Sequence, residues 1–170
     1  MAFYYLRKKF KYYPEITKKR STTTDMLFQS RIRGLWSQLG GKYDEGYIWE
    51  KDSTLEDYID GHYLYCGSSW KDIDFVYIPM YMEQLKHWIL GELDLEKRRL
   101  NIFNSLRSKK IDQECIEAVI PMAILLPHLL ESRKFSEGRP DLNWGKSKTK
   151  MFEICMVKDV PQQQNGWVFI

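Results

Sequence analysis

The stretch from Trp70 to Leu106 limits the possible folds of this chain more than any other part of it. Within it, Ile73, Phe75 and Tyr77 alternate with Asp74, Val76 and Ile78, the two-residue period that sends side chains to opposite faces of a strand. Pro79 is expected to close that segment, since its ring offers no N–H to a ladder. His87 to Leu95 reads as a second strand and Leu100 to Leu106 as a third. Between them lies Asp94-Leu95-Glu96-Lys97-Arg98-Arg99, a charged turn. Two apolar runs this close across a polar turn pair as a hairpin.

Helical periodicity surrounds this sheet-forming centre. Phe3, Leu6 and Phe10 share one face of an early amphipathic helix, and Ser21 to Asp25 supply cap chemistry for a helix over Met26 to Leu39. Gly40-Gly41 ends that helix. Residues 42–52 read as irregular, and Leu55 to Ile59 as a short helix leading to a loop at Gly61 to Ser69. Ile111 to Ser132 has helical period, with Pro121 and Pro127 expected to break or kink it. Asp141 to Lys150 reads as a polar loop and Met151 to Lys158 as a further strand. Helices followed by a largely antiparallel sheet with helical insertions is the pattern of an α+β domain, and no linker or repeat divides residues 1–170.

Composition closes off other classes. Hydrophobic residues at 44%, with ten Gly and six Pro among 170 residues, exclude a collagen-like or wholly disordered chain. The longest apolar stretch, Ala118 to Leu130, carries two prolines and His128 and falls short of the about 20 residues of a membrane span. No span is expected, and Arg7-Lys8-Lys9 follow the first apolar residues too soon for a secretory signal. Three scattered cysteines, Cys66, Cys115 and Cys155, form no disulfide framework and point to a reducing, intracellular compartment. Residues 1–33 hold nine Lys/Arg against two Asp/Glu, which reads as a solvated basic surface or as a nuclear-import or nucleic-acid patch.

Most familiar motifs fail on inspection. Gly145-Lys146-Ser147 imitates the end of a phosphate loop, but Pro140 stands where its first glycine belongs. His62 and Cys66 have half of a zinc spacing with no second pair nearby. No metal or cofactor is expected. What remains is His87, which opens a strand, and Asn104, seventeen residues later at the end of the next. A hairpin would bring them to the same end of the sheet. An imidazole held by a polar acceptor is the base-and-orienter half of a nucleophilic triad, although spacing alone leaves a half-exposed strand-start histidine as the plainer alternative.

A family pattern adds to this reading. The opening "MAFYYLRKK", then "DYIDG", "WKDIDFVYIPM", "HWILGELDL" and "NIFNSL", then Leu125-Leu126-Pro127 with Leu129-Leu130, and "VPQQQNG" occur in that order. Together they resemble the ubiquitin-like-protein-specific cysteine proteases, the SUMO proteases of the Ulp/sentrin-specific type in their plant and transposon-associated branch. The resemblance implies a papain-like α+β catalytic domain with a central, mostly antiparallel sheet flanked by helices, here a single partial domain. It puts His87 on the catalytic histidine, Trp88 on the substrate-contacting tryptophan that follows, Asn104 on the orienting aspartate, and Gln163 on the oxyanion-hole glutamine. The implied partner is a SUMO-like modifier or its conjugates; no membrane is expected, and nucleic acid is the less favoured partner.

The pattern also departs. In the family PQQxNG leads into an Asp-Cys-Gly that carries the nucleophile, whereas here Gly166 is followed by Trp167-Val168-Phe169-Ile170. No cysteine follows Cys155, so the nucleophile is expected to be missing and the chain inactive. The family's N-terminal Trp-Leu segment is likewise not found ahead of "MAFYYLRKK". The alternatives are a non-catalytic fragment that binds a ubiquitin-like protein and a basic nucleic-acid-binding remnant. Without the family's cysteine helix, the strand faces around Val76, Ile89 and Ile102 are expected to lie exposed and the fold to be marginal.

Overall fold

A computed structural model describes residues 2–43 and 53–163. The irregular reading of residues 42–52 falls almost wholly outside them, as does everything from Gln164 to Ile170. Helix α1 spans Ala2–Tyr12 and a helical turn, α2, Pro14–Thr17. Strand β1 (Ser21–Thr23) leads into α3 (Met26–Gln38), and α4 covers Ser53–Asp60. The centre is β2 (Phe75–Met82), β3 (His87–Asp94) and β4 (Arg99–Phe103). Helix α5 (Lys109–Ser132), the short α6 (Phe135–Gly138) and β5 (Glu153–Met156) complete it.

The five strands lie in the order β1-β2-β3-β4-β5. The long central pairings, β2 with β3 and β3 with β4, are antiparallel, and the two short edge pairings are parallel. The expected α+β arrangement is present. Asp25 caps α3 as its position suggests, accepting from the N–H groups of Leu27 and Phe28, but Ser21–Thr23 just before it are a buried strand.

Three expectations need correction. β2 does not close at Pro79 but runs on to Met82, with Pro79 opposite Leu90. β1 has ended by then, its last residue Thr23 lying opposite Tyr77, so the outer side of β2 asks no N–H of Pro79. Helix α5 continues through both prolines over 24 residues. Pro127 cannot donate to the carbonyl of Ala123, and the N–H of Phe152 takes it instead at 3.0 Å. The orphaned group thus becomes a link to the segment leading into β5.

The third correction concerns the core. Val76, Ile89 and Ile102 are buried, not exposed. They line one sheet face with Ile78, Met80, Leu93 and Leu100, in one cluster with Phe28 and Ile32 of α3 and Val119, Met122, Leu126 and Leu130 of α5. The face assigned to a missing helix is covered by helices already in the chain, which removes the stated ground for a marginal fold. As a helix, α5 is longer than the uninterrupted apolar run within it and is long and apolar enough to cross a membrane. Its apolar side is nonetheless spent on the core, with Cys115, Val119, Met122, Ala123, Leu125, Leu126, Leu129 and Leu130 all buried.

Candidate active site

The hairpin registers bring the site together. β3 opens at His87, opposite Met82, after a turn whose last residue, Lys86, is left-handed at φ 47°. β4 ends at Phe103, opposite Leu90, so Asn104 emerges at the same end of the sheet. His87 Nε2 and Asn104 Oδ1 are 2.9 Å apart. His87 is 8% exposed and Asn104 wholly buried, so the histidine is not the half-exposed residue that spacing alone allowed.

The hydrogen-bond network assigns the protons. Asn104 Oδ1 also accepts the backbone N–H of Leu106 at 2.9 Å, and Asn104 Nδ2 donates to Cys115 Sγ at 3.4 Å. A backbone N–H can only donate, so Oδ1 must face Leu106 and therefore His87. His87 Nε2 then carries the hydrogen, and the neutral ring keeps its lone pair on Nδ1.

The three cysteines differ in placement. Cys115 is fully buried on α5 behind Asn104. Burial, reinforced by Asp112, pushes its thiol up despite the Asn104 hydrogen bond that favours the thiolate. Cys66 is buried in the loop after α4, and Cys155 lies on β5 opposite Asn101. The segment after Gly166, where the family pattern would carry its nucleophile, lies outside the described residues.

Trp88 is 52% exposed and sits against Tyr81 with ring centroids 5.2 Å apart. It borders an open cavity of about 350 Å³ that is also lined by Phe3, Pro79, Leu90, Phe103 and Val160. This cavity adjoins the His87 end of the hairpin on the sheet face opposite the core. The two glutamines of interest are near it. The N–H of Gln163 donates to the Ser105 carbonyl at 2.8 Å, leaving Gln163 exposed. Gln162, which sequence reasoning passed over, sends its Nε2 to the carbonyls of Asn104 at 3.3 Å and Val160 at 2.8 Å. Only the neighbouring glutamine's family position favoured Gln163.

Much of the basic N-terminal charge is used within the fold. Arg7 is buried and donates to Thr23 Oγ1 and the Tyr65 carbonyl. Arg20 forms a two-pronged pair with Asp74, Lys19 meets Glu92, and Arg33 reaches Glu83 and the Tyr81 carbonyl. His62 is exposed, and among the described residues no group of three His, Cys, Asp or Glu is placed to hold a metal.

Comparison with known proteins bears on this arrangement. Residues 1–167 match a family model described as the Ulp1 protease family, C-terminal catalytic domain. Two solved structures align with 96% of the chain at 15% identity. One is SUMO protease Ulp1 with its catalytic cysteine oxidised to a sulfenic acid, at a TM-score of 0.41. The other is the C-terminal Ulp1 protease domain in complex with Smt3, the yeast orthologue of SUMO, at 0.39. The chain spans 57% of the length of each. No curated protein matches it.

Proposed function

This chain belongs to the Ulp1 protease family, whose C-terminal catalytic domain its residues 1–167 match, and from that premise we propose that it receives the C-terminal tail of a SUMO-like modifier beside His87. The observation that carries the reading is the 2.9 Å contact between His87 Nε2 and Asn104 Oδ1, at a strand end where the following residue, Trp88, is exposed. In cysteine-peptidase chemistry a base takes the proton of a thiol, and the thiolate attacks the carbonyl to form an acyl-enzyme. His87 offers Nδ1 as that base and Asn104 orients the ring. Asparagine holds the tautomer as aspartate would, but without a charge to stabilise imidazolium. Gln163 takes the oxyanion role by its family position, on a backbone tied to Ser105. Trp88 and the apolar cavity around it form the floor for an extended tail.

The thiol is the part that the described residues do not bring to His87. Cys115 is sealed behind Asn104, and Cys66 and Cys155 belong to other elements. The proposal is therefore a chain that holds a modifier without turning it over. Its three unpaired thiols fit an intracellular compartment, nuclear or cytoplasmic.

The test uses the folded 170-residue chain and SUMO carrying a C-terminal thiol-reactive electrophile, read by intact mass. No adduct is expected, together with saturable binding of unmodified SUMO that is lost when its last two glycines are removed. Trp88→Ala should weaken that binding about tenfold or more, the usual loss when a central aromatic anchor is truncated. Absence of saturable binding overturns the proposal. A covalent adduct overturns its non-catalytic part, and peptide mapping would name the thiol.

A further inference from the structure

Cys115 has no part in the chemistry just described, yet it is placed where it can govern that chemistry at one remove. It lies on the first turns of α5, fully buried, and its sulfur takes the hydrogen of Asn104 Nδ2 at 3.4 Å. On the other side of the same amide, Leu106 N–H and His87 Nε2 both point at Oδ1, each at 2.9 Å. Asn104 has no exposed surface, so its amide is satisfied by protein partners and not by bulk water.

We infer that Cys115 is a positioning residue: with the Leu106 N–H it clamps the Asn104 amide in one orientation, and so decides which nitrogen of His87 carries the proton. A terminal amide is nearly symmetric in shape, and its two orientations differ only in which partners meet a donor and which an acceptor. Turning it over would aim Nδ2 at the Leu106 N–H, donor against donor. Leu106 alone penalises that state. Cys115 supplies the complementary half, because without an acceptor the buried Nδ2 is left unsatisfied in the observed orientation as well. The gap between the two orientations then shrinks. A neutral thiol suits this place, having sulfur lone pairs to accept with and little bulk. Burial holds Cys115 in that neutral form.

The inference rests on the reading of His87 as a base only for its consequence in function. Its test needs neither modifier nor turnover. In protein labelled with 15N-histidine, long-range proton–nitrogen spectra distinguish a ring protonated at Nε2 from one protonated at Nδ1. The unsubstituted chain should show His87 as the Nε2–H tautomer alone. Cys115→Val, of similar volume without an acceptor, should turn that into a visible mixture while the backbone amide spectrum stays dispersed. Cys115→Ser, whose hydroxyl accepts from Nδ2, should restore the single tautomer. A merely structural cysteine would not give that pattern. Should valine fail to fold, Cys115→Ala is read in the same way. A single Nε2–H tautomer in a folded Val or Ala variant, or a mixture in the unsubstituted chain, overturns the inference. A locked tautomer with no SUMO binding would remove the proposed function and leave this inference standing. A mixed tautomer in the unsubstituted chain with intact SUMO binding would do the reverse.

Discussion

At the scale of single residues, Asn104 concentrates the chemistry of the site. It joins His87, the Leu106 backbone and Cys115 through one buried amide. Asn104→Ala leaves the Leu106 N–H without its acceptor and opens a small void. We expect a loss of about 1–3 kcal/mol, the cost of an unsatisfied buried donor, read as a lower urea midpoint with an unchanged slope. A loss below about 0.5 kcal/mol would mean that the amide is not the hub described. His87 and Asn104 were legible in sequence because both sit at strand ends whose pairing follows from a local hairpin. Cys115 was not legible. Its contact with Asn104 needs the fold of α5 back onto the sheet, and no local period announces that. The same holds for Gln162, whose side chain returns to the Asn104 carbonyl across 58 residues.

At the scale of elements, close backbone approach decides which residue types are allowed. Gly61 follows α4 with φ +80°, and a Cβ there would lie 2.4 Å from the carbonyl carbon of Ser68 and 2.5 Å from the amide nitrogen of Ser69. Neither backbone atom can yield as a flexible side chain would. Gly61→Ala combines left-handed strain of about 1–2 kcal/mol with overpacking of about 1–3 kcal/mol. A melting temperature within a degree of the unsubstituted chain would contradict this. Gly91 makes a milder case, its added Cβ meeting first the mobile tip of Met80 at 2.8 Å. The helix α5 shows why the expected break at proline does not occur. Proline destabilises a helix chiefly through a lost hydrogen bond and a steric clash, and a sequence does not show that a distant N–H, that of Phe152, takes the orphaned Ala123 carbonyl.

At the scale of the whole molecule, an ion network ties the C-terminal half to the sheet. Arg139, almost fully buried, donates to the Ile73 carbonyl, to Asp74 and to Asp141, while Arg20 pairs with both carboxylate oxygens of Asp74. Burial works against the charged form of Asp74, but the hydrogen bonds from Arg20 and Arg139 outweigh it and hold the carboxyl below its usual range. A pKa depressed by folding contributes stability that is present above the unfolded value of about 3.9 and lost as pH falls through the folded value. Asp74→Asn should therefore cost stability at pH 7 and flatten the decline below about pH 4. The check is urea unfolding at several pH values. Parallel acid limbs for the two proteins would show that Asp74 carries no part of that decline.

What the sequence determined by itself is what short-range periodicity encodes. The two-residue alternation from Phe75 to Phe103 settles a hairpin, and with it the meeting of His87 and Asn104, because antiparallel neighbours joined by a short turn have little freedom of register. Capping at Asp25 and the helical period from Ile111 onward settle α3 and the start of α5 in the same way, but not the continuation of α5 through its prolines. Only the tertiary structure decided the parallel partners β1 and β5, each joined to its neighbour across about fifty residues, the cover over Val76, Ile89 and Ile102, and the cysteine beneath Asn104. Those features depend on which distant surface finds an unsatisfied face or an unpaired polar group first, and that is a property of the assembled core.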